Sequence, residues 1–132
     1  MFEATTPDGP VFVMRGDGQQ RREFTYVSDV VTATVAAGFI GEAANTTFDV
    51  GGGSSVSLQQ VMTLIETLAG APIRMETVEA PAGAPAITVA RTDDTAEILG
   101  WSPKIDLVEG LARQYEWHHQ RAASEESVLV AD

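Results

Sequence analysis

The sequence predicts an α/β fold, a small layered unit of few short strands and about four helices. Three observations carry that expectation. Apolar residues switch repeatedly between strand-like alternation and helical spacing, and glycine or proline marks each switch. The 132 residues are 44% hydrophobic, enough for one buried core and too apolar for a disordered chain. No internal repeat and no linker divides them, so residues 1–121 read as one lobe and 122–132 as a flexible acidic tail of small and charged residues.

The elements follow in order. Pro10-Val11-Phe12-Val13-Met14 runs into Arg15-Gly16-Asp17-Gly18, which is a strand followed by a turn. Residues 23–27 alternate apolar and polar and make a second extended segment. A helix starts near Ser28, with Val27, Val30, Val31 and Val35 on one apolar face and Gly38 as its stop. Residues 46–50, Thr-Thr-Phe-Asp-Val, read as a strand entering Gly51-Gly52-Gly53. Ser57 with Gln60 forms a capping box, flanked by Val56 and Val61 as a hydrophobic staple. Leu58, Val61, Met62, Ile65 and Leu68 then make a buried stripe that Gly70 ends. Residues 72–78 form another strand, 79–85 a loop, and 93–99 a short helix stopped by Gly100. Asp106 and Glu109 form a second capping box, opening a helix whose apolar face is Val108, Leu111, Ala112 and Tyr115.

Composition excludes several classes of function. Eight Lys and Arg against nineteen Asp and Glu give a net charge of −11, so nothing draws the chain to nucleic acid or to an anionic membrane. Only locally placed arginines can hold an anion; the basic set is seven Arg and Lys104. The absence of cysteine removes thiol catalysis and cysteine zinc sites, and no stretch approaches the ~20 apolar residues of a membrane span. No signal peptide is visible at the N-terminus, and the expected location is cytoplasmic. His118 and His119 are helix neighbours about 100° apart, which reads as a solvated helix end and no metal is expected.

Two glycine-rich runs need testing. Gly38-Phe39-Ile40-Gly41-Glu42-Ala43-Ala44 has the spacing of a dinucleotide loop, but no strand delivers it and too few residues follow for a crossover helix. A helix C-cap and loop is the better reading. Gly51-Gly52-Gly53 has no following Lys, so it is no P-loop, and a tight turn or close backbone approach is expected there. Arg21-Arg22, after the glycine turn and before a helix, could hold a phosphate or carboxylate by paired hydrogen bonds. A surface salt bridge is the plainer alternative for any such pair.

The run from Gly16 through Gln20, Arg22, Phe24, Tyr26 and Val27 to Asp29 resembles GDG-x-Q-x-R-D-F-x-Y-V-x-D, a signature in the second half of extended short-chain dehydrogenase/reductases. These are the NAD-dependent nucleotide-sugar epimerases and dehydratases, including the UDP-glucose 4-epimerase-like members. Phe48-Asp49-Val50-Gly51-Gly52-Gly53 resembles the family's FNVGGG, Leu99-Gly100-Trp101-Ser102-Pro103 its LGWxP, and Val108-Glu109-Gly110-Leu111 its EEGL. The resemblance runs from Gly9 to Trp117.

The resemblance implies the C-terminal substrate-binding lobe of such an enzyme, with the N-terminal Rossmann half absent. It implies that Arg22 contacts the diphosphate of a UDP- or dTDP-sugar, with Gln20, Tyr26 and Arg91 as further substrate-binding candidates. Asp29 is either a ligand contact or a source of local electrostatics at the helix N-terminus. The family's R-x-G-D, which supplies a second phosphate contact, corresponds to Pro81-Ala82-Gly83-Ala84, and Arg74 or Arg91 stand as its possible replacements. NAD belongs to the complete family enzyme, and no cofactor is expected on this chain alone. The catalytic Tyr-x-x-x-Lys pair is missing, since Val30 follows Tyr26 by four residues and His119 follows Tyr115 by four. The expected function is nucleotide-sugar binding without catalysis by this chain alone. The alternative is an interaction module that pairs with a separate Rossmann chain or with itself, through apolar surface uncovered by the missing half.

Overall fold

The computed structural model describes residues 1–53 and 55–129. Within them lie two small sheets and four α-helices. Strand β1 (Phe12–Arg15) pairs in parallel with β4 (Met75–Val78), with Phe12 opposite Met75 and Arg15 opposite Val78. In the second sheet β2 (Arg21–Glu23) lies between β3 (Ser55–Ser57), antiparallel to it, and β5 (Ile87–Thr88), parallel to it. The helices are α1 (Val27–Phe39), α2 (Leu58–Ala69), α3 (Asp93–Leu99) and α4 (Leu107–Leu129).

Helix α2 forms as its local signals require. The Ser57 hydroxyl accepts from the Gln60 amide at 3.2 Å, and the Gln60 side chain accepts from the Ser57 amide at 2.9 Å. Gly70 closes the helix in the left-handed conformation at φ 66°, where a side chain would be strained. Val61, Met62 and Ile65 are buried and meet Phe2, Met14, Ile73 and Leu111, while Leu58 and Leu68 are partly buried at the margin. A second cluster gathers Ala33 of α1, Ala43, Leu99 and Trp101, with Phe48 and Val50 packed against it.

Four expectations are corrected. The valine face of α1 is exposed: Val27, Val31 and Val35 are more than half accessible. The buried stripe is instead Asp29 and Ala33, with Ala36 and Ala37 beside the second cluster. Small side chains there let α1 approach Trp101, whose indole N–H donates to the Asp29 carbonyl at 2.9 Å. Residues 46–50 form no strand. Their Asp49 carbonyl accepts from the Thr95 hydroxyl at 2.6 Å, and no neighbouring strand pairs with them among the described residues. Val108 is exposed, and Leu107 packs against the core in its place, since the helix starts where the capping box sets it but turns the Leu107 side inward. The second extended segment is a strand at Arg21–Glu23, two residues earlier than 23–27, and it pairs with the short β5, which follows the expected 79–85 loop.

The ends of the chain carry two further findings. A 3-10 turn at Phe2–Thr5 buries Phe2 and Ala4, and the Ala4 carbonyl accepts from the Arg74 amide at 2.9 Å. At the other end the backbone of α4 continues through Leu129, so 122–129 extend the helix, and 130–132 of the expected tail lie outside the described residues.

Candidate functional site

The glycine turn sets the site. Gly16 and Gly18 both have positive φ, 83° and 76°, which glycine alone adopts without strain. The Gly16 amide donates to the Val78 carbonyl at 2.8 Å, and the Gly18 carbonyl accepts from the Gln59 amide at 3.0 Å. The turn is thereby tied to the end of β4 on one side and the start of α2 on the other. The chain leaves it through Gln20, whose side-chain amide donates to the Arg15 carbonyl at 2.9 Å, and enters β2.

Arg22 stands in the middle of that strand. Its guanidinium donates from Nη1 to the Arg21 carbonyl at 2.7 Å and from Nη2 to the Pro85 carbonyl at 3.0 Å. Both partners are neutral carbonyls, so they orient the group and leave its charge uncompensated by contact. A guanidinium has five N–H donors, so some remain for a ligand. The salt-bridge alternative for the Arg pair does not describe this residue, since among the described residues the ion pair is Arg113 with Glu109 at 2.5 Å. Arg21 instead donates to the Ser55 carbonyl across the sheet.

Two clefts open beside Arg22, and it is the one residue that lines both. The first, about 410 Å³, is walled by Arg15, Asp17, Gln20, Arg22, Pro81 and Ala84. The second, about 330 Å³, is walled by Glu23, Thr25, Asp49, Thr88 and Ala90 with Arg22. Glu23 accepts the Ala90 amide at 2.9 Å, which holds the segment after β5 against β2. Gly51 and Gly52 permit this packing. A Cβ on Gly51 would collide with Ala90, and one on Gly52 with the Phe24 carbonyl, so the glycine run serves close backbone approach as expected.

The structure brings Arg22 and Gln20 together and separates the other two candidates from them. Tyr26 lines a different cavity with Arg113 and Trp117; its ring lies against Gly110, where a Cβ would sit 3.2 Å away, and under the Arg113 guanidinium at 5.5 Å. Arg91 is exposed and lines neither Arg22 cleft. Arg74 is committed elsewhere, donating to the Pro7 and Gly9 carbonyls at 2.8 and 2.7 Å. The basic residue that does share a cleft with Arg22 is Arg15, which the motif reading passed over. The available signal was its place directly before the glycine turn, at the end of a strand.

Asp29 is resolved as structural. Its carboxylate is 4% exposed and accepts from the Lys104 and Ile105 amides at 3.1 and 3.0 Å. It joins the start of α1 to the loop before α4. The Gly38–Ala44 run is the end of α1 followed by a 3-10 turn at Gly41–Ala43, and neither Gly38 nor Gly41 has a crowding neighbour. His118 packs on Phe2 at 5.7 Å between ring centres and His119 on Tyr115 at 4.3 Å, so both belong to an aromatic seam between the N-terminal turn and α4. Among the described residues no group of three or more His, Cys, Asp or Glu is placed to hold a metal ion, and no helix is long and apolar enough to cross a membrane.

Comparison with known proteins agrees with this geometry. The profile of the NAD dependent epimerase/dehydratase family matches residues 4–51, which include the glycine turn, Arg22 and α1. The UDP-glucuronate 4-epimerase of Thermodesulfobacterium geofontis is 28% identical over 116 residues, 87% of this chain and 35% of the relative. The UDP-glucose 4-epimerase of Mycolicibacterium smegmatis is 36% identical over 110 residues, 81% of this chain and 34% of the relative. Among solved structures, MoeE5 in complex with UDP-glucose and NAD superposes with a TM-score of 0.84 at 31% identity, covering 92% of this chain and 40% of that one. The chain thus spans about a third of the length of the curated relatives it matches. Motif order, α/β architecture and these matches together show that the chain belongs to the NAD-dependent epimerase/dehydratase family, of whose extended members it represents a portion.

Proposed function

We propose that this chain is the nucleotide-sugar-binding part of an NAD-dependent epimerase or dehydratase, and that it does no chemistry alone. The observation that carries the proposal is Arg22: a guanidinium oriented by two carbonyls, uncompensated by an acid, and set at the wall of two clefts. In a chain of net charge −11 such a group is the local attraction an anionic diphosphate requires. Support comes from relatives named for UDP-sugars and from MoeE5, solved with UDP-glucose. The reaction of the family requires NAD for hydride transfer and a positioned phenol, and neither of the two tyrosines here has a lysine four residues on. NAD binding is therefore assigned to a Rossmann half and not to these residues, and the cytoplasm remains the proposed location.

Calorimetric titration of UDP-glucose into the chain tests this reading. Saturable binding that Arg22→Gln weakens about tenfold is expected, from the loss of charged hydrogen bonds to phosphate. Absence of binding by the unmodified chain, or epimerase turnover by the chain with NAD, would overturn it.

The second reading, a module that docks on a Rossmann half, is favoured by α1. Val27, Val31 and Val35 are spaced to form one exposed stripe, and Phe39 at its end is 88% accessible. Residues 46–50, which no strand pairs among the described residues, offer further backbone donors and acceptors. Docking covers a face that water otherwise wets, and it is compatible with sugar binding on the Arg22 side. Light scattering of the chain mixed with the separately produced NAD-binding half of a relative tests it. Complex formation abolished by Val31→Lys with Val35→Lys is expected; no complex at any concentration would count against it.

A further inference from the structure

We propose that Arg15 is the second cationic arm of the Arg22 cleft, and that the pair brackets a diphosphate. The proposal rests on the Arg22 reading and adds a residue that the family signature does not contain. The family's second phosphate arginine corresponds to Pro81, so the loop that would carry it offers no charge. Pro81 and Ala84 nevertheless wall the same cleft as Arg15 and Arg22. The cation missing from the loop is thus present across the same space, on β1.

Three features fit Arg15 to this task. It is the last residue of β1, fixed in register opposite Val78, and its carbonyl is held by the Gln20 side chain, so its backbone is anchored on both sides. Its own side chain is exposed, and among the described residues no hydrogen bond or ion pair holds its guanidinium. Every other arginine that was a candidate is either spent, as Arg74 is on Pro7 and Gly9, or outside the cleft, as Arg91 is. The acid in the cleft is Asp17, whose Oδ1 accepts the Gln19 amide at 2.9 Å within the turn. With Asp17 opposed to two arginines, the cleft keeps one net positive charge for an anion. A volume of about 410 Å³ admits a ligand larger than orthophosphate. Two planar forks, one from each sheet, at the wall of one cleft can each take one phosphoryl group, whereas a monophosphate engages one fork at a time.

The test uses the full chain and inorganic pyrophosphate, orthophosphate and UDP-glucose as probes, titrated calorimetrically into the unmodified protein and the variants Arg15→Gln, Arg22→Gln and Arg91→Gln. Arg15 is exposed, and an unchanged thermal midpoint of Arg15→Gln shows that the fold survives. Pyrophosphate should bind more tightly than orthophosphate, and Arg15→Gln should weaken pyrophosphate about tenfold while removing its preference over orthophosphate. Arg91→Gln should leave both unchanged. Pyrophosphate affinity that is absent, or that Arg15→Gln changes by less than about twofold, overturns the assignment of Arg15. Pyrophosphate bound through both arginines without any binding of UDP-glucose overturns the nucleotide-sugar reading and leaves the two-armed anion site standing.

Discussion

Replacing Asp29 by alanine should cost this chain about 3 kcal/mol of stability. The magnitude comes from its two partners. The buried carboxylate accepts the Lys104 and Ile105 amides, and a hydrogen bond to a charged acceptor contributes about 1.5–3 kcal/mol net. Two such bonds give about 3–6 kcal/mol, and the lower end applies because Lys104 is exposed and water can reach a freed amide there. Asp29→Asn keeps an oxygen acceptor without the charge and should lose about half as much. The indole bond from Trp101 goes to the Asp29 backbone carbonyl, so it survives both substitutions, and Trp101 fluorescence can follow urea unfolding in each variant. The expected result is a lower midpoint in the order wild type, Asp29→Asn, Asp29→Ala, with the urea dependence unchanged. A stability of Asp29→Ala within about 0.5 kcal/mol of wild type would refute the assignment of this carboxylate as the tie between α1 and the 101–105 loop.

The remaining predictions concern local geometry. Ser57→Ala removes one half of the α2 capping box and should lower stability by about 1 kcal/mol, visible as a fall of about 4 °C in a thermal melt. Gly52→Ala drives a methyl group into the Phe24 carbonyl and should cost about 2–4 kcal/mol in the same melt. Gly38→Ala meets open space near the end of α1 and should instead stabilise by about 0.5 kcal/mol. Equal effects of the two glycine substitutions would contradict the packing described for Gly52.

Much of the fold was legible locally. The Ser57–Gln60 box, the Val61–Met62–Ile65 stripe and the Gly70 and Gly100 stops are short-range physics, written within a few residues and realised as written. Arg22 and Gln20 line one cleft for another local reason: the chain leaves the glycine turn directly into β2, so a short motif could carry their common placement. Tyr26 lies in the same motif yet its ring packs against α4, because at the start of α1 its side chain turns away from the strand that precedes it.

The sequence by itself determined which segments would be helices, where α2 and α3 stop, that only local arginines could hold an anion, and that no Tyr-x-x-x-Lys pair is present. Only the tertiary structure decided which face of α1 is buried. Its valines and its alanines lie on different sides of one helix, and both satisfy apolar periodicity. Trp101 and the 104–105 amides select the side of Asp29 and Ala33. Tertiary structure likewise decided the fate of residues 46–50, whose strand-forming composition gains nothing without a neighbouring strand to bond. It also brought Arg15 beside Arg22: their shared cleft depends on β1 pairing with β4, a contact between residues some sixty positions apart that no local pattern encodes.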